Sequence, residues 1–180
     1  MNLRINFLLT LVSSRSDNQP TGGETTMSWV DDESERAVTE DEDRARRERV
    51  FEQQASGMWQ DLIFQLKQDV ERINQNRELI DRRLGGEKLQ IRDQGNGLEI
   101  IKIVYTAIYL RLEFQGRSIG VERKIVTNGQ SRRSKTEREN ISMEIYEGYQ
   151  LVLKNERGEP LTIEEASKYL LTPLLNTHTR

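Results

Sequence analysis

Apolar residues in the middle of the chain recur at the spacing of an amphipathic helix. At about 100° per residue, the apolar positions between Trp59 and Leu84 fall within roughly 80° of one another. Gly85 and Gly86 follow directly and can supply a left-handed cap, so the sequence predicts a long helix that ends after Leu84. The apolar positions are Trp59, Leu62, Leu66, Val70, Ile73, Ile80 and Leu84.

A strongly charged helical pattern precedes this stripe. Thr39 and Glu42 have the spacing of a capping box, and residues 40–43 are acidic, which suits the positive end of a helix dipole. The pattern predicts a charged helical extension over residues 39–57. Gly57 leaves two alternatives open, because a glycine can either be tolerated within one continuous helix or separate two helices.

After Gly86 the apolar period changes from that of a helix to two residues. Such alternation predicts antiparallel strands with one face on a core and the other in water. Turn-forming pairs with Gly and Asn separate the runs at hairpin distances, so we expect an antiparallel meander of five to six strands. The apolar runs cover residues 89–91, 98–100, 108–114, 119–121, 141–145 and 151–153.

The last apolar segment has the signature of a short helix. Thr162 and Glu165 have capping-box spacing, and Pro173 is expected to end or kink the helix. The patterns together predict an α+β domain over residues 58–175, in which the meander packs on the long N-terminal helix and the short C-terminal helix closes the core. Residues 176–180 are expected to be a frayed tail.

The distribution of apolar residues argues against a core in the first part of the chain. Only 34% of the 180 residues are hydrophobic, and those between Arg15 and Gly57 are too few to offset the entropy of ordering. Residues 1–38 are therefore predicted to be a disordered or mis-assigned extension, and the alternative is a true start at Met27 that leaves residues 1–26 outside the protein. The apolar run 5–12 is too short to span a bilayer, so we expect a cytoplasmic protein; a signal peptide over residues 1–14 is the alternative.

The residue types present exclude many kinds of catalytic site. The chain has no cysteine, which excludes thiolate metal sites. Its one histidine, His178, lies close to the C-terminus, which argues against a Ser-His catalytic pair. The sequence Gly85-Gly86-Glu87-Lys88 lacks the first glycine and the final Ser or Thr of a phosphate loop. We predict no cofactor, no metal site and no catalytic residue.

Arg77 sits in the middle of the apolar stripe. Its aliphatic stem is expected to lie along the core while the guanidinium reaches water. The alternative is a ligand pocket in which Arg77 binds a carboxylate or a phosphate through two hydrogen bonds. An enzyme that uses Arg77 and carboxylates in such a pocket is therefore a further hypothesis.

Cations are concentrated between Arg123 and Arg138, where six cations stand against Glu137 alone, a net of +5. A basic hairpin loop could contact a nucleic-acid backbone without reading its sequence, although no aromatic residue is present for stacking. A solvated loop is the alternative, and the acidic residues 31–43 could shield it. The candidate anion contacts are Arg123, Lys124, Arg132, Arg133, Lys135 and Arg138.

The long helix is predicted to extend beyond the sheet. A helix over residues 58–84 spans about 40 Å, whereas a seven-residue strand spans about 23 Å. A partner helix or the C-terminal helix could then cover Phe51, Ala55, Phe64 and Leu79. Contact with a partner helix predicts a homodimer or an unknown protein partner, and no membrane. We therefore expect a non-enzymatic interaction or adaptor domain, with weak, sequence-unspecific nucleic-acid binding as the alternative.

The order of these elements resembles a group of uncharacterised bacterial proteins. The resemblance covers residues 58–175 and rests on the helix that starts at Trp59, on the meander, and on the C-terminal string LTIEEASKYLLTPLL. It implies a bacterial origin and the helix, meander, helix architecture. It implies no activity and no functional residue.

Overall fold

The computed structural model describes residues 28–103, 106–127, 133–146 and 148–176, without the side chain of Arg133. The predicted α+β class and the antiparallel meander are confirmed. The described elements, in chain order, are the helices α1 (Trp29–Gln75) and α2 (Arg77–Arg83), the strands β1 (Gln90–Gln94), β2 (Gly97–Ile103), β3 (Thr106–Phe114), β4 (Ser118–Thr127), β5 (Arg133–Tyr146), β6 (Gln150–Lys154) and β7 (Pro160–Leu161), and the helix α3 (Ile163–Asn176).

Each strand pairs antiparallel with the next, and the seven strands curve into a half-barrel. The predicted inward positions of β3 are confirmed, because Ile108, Leu110 and Leu112 are buried. They belong to the same core as Leu62 and Leu66 of α1, both fully buried. A Leu side chain buried to this extent stabilises the fold by roughly 2 kcal/mol relative to an exposed one.

Helix α1 begins at Trp29 rather than at Thr39. The Thr39 hydroxyl donates to the carbonyl of Glu35 at 2.8 Å, so Thr39 lies inside the helix and is not its N-cap. The structure has helix over residues 29–38, where composition predicts disorder. The predictions about residues 1–27 lie outside the described chain. Gly57 does not interrupt α1, which continues to Gln75.

The long helix is broken once, at Asn76. The Asn76 side chain accepts a hydrogen bond from the Leu79 N–H at 3.1 Å and so caps α2. Beyond the break the helical phase starts again, and the side chain of Arg77 is 94% exposed beside Asp81, at 3.8 Å. Arg77 therefore lies neither along the core nor in a pocket, and both expectations for it are wrong. The predicted helix end is confirmed, with Leu84 as the C-cap.

Helix α3 starts with the predicted capping box. The Glu165 N–H donates to the Thr162 hydroxyl at 3.2 Å, and the Thr162 N–H donates to the Glu165 carboxylate at 2.9 Å. Pro173 does not end the helix, which continues to Asn176. Residues 177–180 lie outside the described chain. The described residues from Glu40 onwards form one compact unit, and those before it belong to a second unit.

A buried lysine joins the ends of two helices to the sheet. Lys102 of β2 is 5% exposed, and its ammonium donates to the carbonyls of Arg83 and Leu174 at 2.9 Å each. These carbonyls lie at the C-terminal ends of α2 and α3, where a cation suits the helix dipole. Burial lowers the pKa of Lys102.

Candidate interaction surfaces

Between residues 53 and 68, one face of α1 has no charged residue along its centre, and the charged Glu71 lies on the same side one turn further on. We name it the α1 stripe and define it by Gln53, Gly57, Gln60, Phe64 and Gln68, which share one side of the helix at about 100° per residue. Four of the five are exposed, and Gln68 is half-buried. Phe64, at the middle of the stripe, is 63% exposed. This face contrasts with a chain in which 32% of residues are charged.

The stripe combines an exposed aromatic side chain, Phe64, with a position that has no side chain, Gly57. Gly57 precedes Phe64 by seven residues, so the two lie about 10 Å apart on the same face. Apart from Gly57, its two chain neighbours and the nearby backbone of α1, no atom lies within 4 Å of the position that a Cβ on Gly57 would occupy. Within the described part of the chain, a larger residue at position 57 would therefore meet no neighbour. The missing side chain leaves a gap on the helix surface that a large side chain of a partner can enter.

Phe51 and Ala55, predicted to face a partner helix, are instead buried within the described chain. The Arg117 guanidinium lies 4.9 Å from the centre of the Phe51 ring and forms an ion pair with Glu48. The pair lowers the pKa of Glu48 and raises that of Arg117. The strands β3, β4 and β5 are longer than the seven residues assumed for the sheet, so the turn carrying Arg117 reaches further along α1.

A second hairpin also contacts α1. The hydroxyl of Tyr149, just before β6, donates to Asp43 at 2.9 Å, and the Arg46 guanidinium lies 4.3 Å from the centre of its ring. Tyr149 has a positive φ of 61°, which is uncommon for a residue with a bulky side chain. No sequence motif indicated this contact.

Leu79 lines an apolar groove at the end of α1. The groove has a volume of about 340 Å³, and its apolar wall consists of Ile73, Leu79, Leu171 and Leu175. Leu79 is half-buried within it. Both signs of charge occur along the rim, which includes Asp69, Arg72, Glu164 and Lys168.

The predicted anion contact Arg123 points into the protein rather than out of it. Its guanidinium lies 2.5 Å from a Glu139 carboxylate oxygen, and both side chains are 12% exposed. The contact is an ion pair without hydrogen-bond alignment, because neither Arg123 Nε nor Glu139 Oε1 has a hydrogen-bond partner in the described part of the chain. The other Glu139 oxygen accepts a hydrogen bond from the Tyr169 hydroxyl of α3 at 2.7 Å. Burial and this contact raise the pKa of Tyr169 to about 12.

The other predicted anion contacts are dispersed. Lys135 pairs with Glu137 at 2.6 Å, and Arg138 pairs with Glu122 at 2.8 Å. Lys124 is exposed. Arg132 and the side chain of Arg133 lie outside the described chain. Carboxylates next to the cations lower the positive potential that a polyanion would meet.

The outer face of the sheet carries a row of alternating charges. Five residues stand opposite one another on five successive strands, from β1 to β5. Ion pairs join the first two at 3.8 Å and the last two at 2.8 Å. Opposite charges in directly opposed positions stabilise strand pairing. In strand order the residues are Arg92, Glu99, Arg111, Glu122 and Arg138.

The described residues contain no group of three or more His, Cys, Asp and Glu side chains that could hold a metal ion. None of the described helices combines the length and the apolar character needed to cross a bilayer. In comparisons with known proteins, no family model, curated protein or solved structure matches the chain.

Proposed function

We propose that this protein is a non-enzymatic interaction module that binds a second copy of itself through the α1 stripe. The observation that carries the proposal is Phe64, a large aromatic residue that is 63% exposed at the centre of an uncharged helix face. An exposed aromatic residue on such a face is typical of a protein-binding surface. The neighbouring gap at Gly57 favours another copy as the partner.

The stripe is complementary to itself when two copies of α1 run antiparallel. A two-fold axis between residues 60 and 61 places Phe64 of each copy opposite Gly57 of the other. The same register places Gln53 opposite Gln68, where two side-chain amides can exchange hydrogen bonds. A glycine under the aromatic ring lets the two helices approach to the usual packing distance of about 8–10 Å.

The charges around the stripe are compatible with this arrangement. Asp61 stands opposite Gln60 of the other copy, so no two like charges are directly opposed within the stripe. The surface therefore loses little charge solvation on pairing, and the aromatic ring supplies most of the apolar area. We expect the association to depend weakly on salt.

Sedimentation equilibrium of the full chain tests the proposal. Phe64→Gln should weaken association by about tenfold or more, because an anchor residue at an interface centre contributes over 1 kcal/mol. Gly57→Leu should also weaken association while making the monomer more stable by about 0.5–1 kcal/mol, since leucine favours a helix more than glycine does.

The control is Tyr146→Gln, which removes an aromatic side chain that is 58% exposed but lies away from α1 stripe positions. It should leave association unchanged. A wild-type chain that remains monomeric at hundreds of micromolar, or equal association of wild type and Phe64→Gln, would contradict the proposal.

Two further parts of the proposal follow from the sequence. We also propose a cytoplasmic location, with export through a signal peptide over residues 1–14 as the alternative. Sequence-unspecific nucleic-acid binding is the less supported alternative, because Arg123, Lys135 and Arg138 each have a carboxylate partner. Retention on a polyanion column that falls steeply with salt would favour that alternative.

A further inference from the structure

Strand β5 is longer than either of its neighbours, and part of it has a partner on one side only. Residues 142–146 pair with β6, and residues 133–142 pair with β4. Within the described residues, no strand lies against residues 133–141 on the side away from β4. We call this segment the β5 edge.

An unpaired edge of this length presents hydrogen-bonding groups to an incoming strand. In an antiparallel sheet, alternate residues direct their N–H and C=O groups to the same side, so about half of the β5 edge points away from β4. No backbone hydrogen bond of the described chain uses that side. The residues from Ser134 to Arg138 are all exposed, so an extended chain can reach this edge.

The charges along the edge suit one occupant, which is the same edge of a second copy. We propose that two β5 edges pair antiparallel about a two-fold axis at Thr136. Lys135 of each copy then stands opposite Glu137 of the other, and Thr136 stands opposite Thr136. Two ion pairs and one pair of hydroxyl side chains therefore flank the axis, and each kind of pair stabilises neighbouring strands.

The charge pattern selects this register over its neighbours. A shift that moves the axis to Glu137 would oppose two glutamates, and an axis at Arg138 would oppose two arginines. A shift by a single position along one strand would instead place side chains on the wrong faces of the sheet. Only the axis at Thr136 gives opposite charges in both pairs next to it.

The existing side-chain contacts do not prevent this pairing. Lys135 and Glu137 point to the same face of β5 and now pair within one chain at 2.6 Å. Both side chains are well exposed, so each can turn to the equivalent partner across the axis by changing rotamers. The charged edge would also disfavour apolar strands, which is a common protection of exposed edges.

This surface is separate from the α1 stripe, and its test uses the Phe64→Gln chain, in which association through the stripe is expected to be about tenfold weaker or more. In this background we compare three samples by sedimentation equilibrium: Lys135→Glu, Glu137→Lys, and their equimolar mixture. Each variant alone opposes like charges twice across the axis, so its association should be about tenfold weaker or more than that of the background chain.

The mixture carries the decisive result. A Lys135→Glu chain has two glutamates at positions 135 and 137, and a Glu137→Lys chain has two lysines there. Pairing between the two variants restores both ion pairs, so the mixture should associate at least as strongly as the background chain. Hydrogen exchange at residues 134–138 should slow on mixing, which assigns the contact to this edge.

The control exchanges the charges of an exposed pair elsewhere, with Arg77→Glu and Asp81→Lys measured singly and mixed. These changes should not alter association, because the pair is exposed on α2. The proposal is overturned if the Phe64→Gln chain remains monomeric at millimolar concentration, if the single β5 variants associate as it does, or if mixing restores nothing. Unfolding midpoints of each variant show that the monomers remain folded.

Discussion

At the scale of single residues, Arg123 and Glu139 show how a charged pair can belong to the core side of a sheet. Arg123 has the same strand parity as the buried Ile119 and Val121, and Glu139 has the parity of the buried Ile141. Tyr169 of α3 then contacts both residues, through its hydroxyl to Glu139 and through its ring to Arg123 at 5.9 Å. The three side chains fix α3 to β4 and β5.

Removing the Tyr169 hydroxyl should destabilise the protein. Tyr169→Phe deletes a hydrogen bond to a carboxylate and should lower the free energy of unfolding at pH 7 by about 1–2 kcal/mol. The pKa of Tyr169 is raised from 10.0 to about 12, so its contribution is complete below pH 10 and is lost as pH rises towards 12. Urea unfolding at pH 7 and tyrosinate absorbance against pH measure the two effects.

Tyr146→Phe is the matched control, because the Tyr146 hydroxyl makes no hydrogen bond within the described residues and its ring is exposed. It should leave the free energy of unfolding unchanged. An equal free energy of unfolding for Tyr169→Phe and wild type, or a Tyr169 hydroxyl that ionises near pH 10, would contradict this account.

The inward direction of Arg123 could be predicted from the sequence, whereas its partner could not. Strand alternation places Arg123 on the face of Ile119 and Val121, and this signal outweighs membership of a basic cluster. Glu139 and Tyr169 lie 16 and 46 positions further along the chain, and only the fold brings them together. The exposure of Phe64 was predictable from helix phase alone, since it lies opposite the apolar stripe.

At the scale of elements, the capping box of α3 is a local signal that the structure reproduces. Thr162→Ala removes the oxygen that accepts from the Glu165 N–H, and it should lower the free energy of unfolding by about 1 kcal/mol. Hydrogen bonds from Thr162 lower the pKa of Glu165. The stabilisation from Glu165 is therefore present above its ordinary pKa of 4.5 and is lost as pH falls through the lowered value.

Glu165→Gln separates the hydrogen-bonding contribution of the capping box from the contribution of the Glu165 charge. Glutamine can still accept a hydrogen bond from Thr162, but it does not titrate, so this variant should lose less stability between pH 6 and pH 3 than the wild type. Urea unfolding of both proteins at several pH values measures the difference. Parallel stability curves for the two proteins would show that Glu165 does not contribute in this way.

Elements with strong periodicity were predictable, and their interruptions were not. Six strands follow from alternation, whereas β7 has only two residues and therefore no period. The capping spacing at Thr39 predicted a helix start that the structure does not have, because Ser28, Asp31 and Asp32 supply a start further upstream. The break at Asn76 had a weak signal, a single cap residue within a continuing apolar stripe.

At the scale of the whole molecule, the lengths of the elements decided which predicted contacts were wrong. The sheet was assumed to have seven-residue strands, but β5 extends over residues 133–146 and β4 over residues 118–127. The turn that joins β3 and β4 contacts Phe51 through Arg117, and the length of β5 leaves its edge without a partner among the described strands. Lys102 also belongs to this scale, since its ammonium, on a buried strand position, donates to carbonyls at the ends of two helices.

Two self-complementary surfaces on one chain have a consequence for assembly. Each surface pairs with itself about its own two-fold axis, so a copy that uses both joins two different neighbours. Axes that intersect at right angles would close a tetramer, axes that intersect at certain smaller angles would close a larger ring, and axes that do not intersect would extend an open chain. Wild type should therefore form species larger than a dimer as its concentration rises.

Phe64→Gln should stop at a dimer through the β5 edge, and Lys135→Glu should stop at a dimer through the α1 stripe. The double variant should remain monomeric. Light scattering after size-exclusion chromatography distinguishes these states, and a double variant that still forms dimers would show that a third surface carries the association.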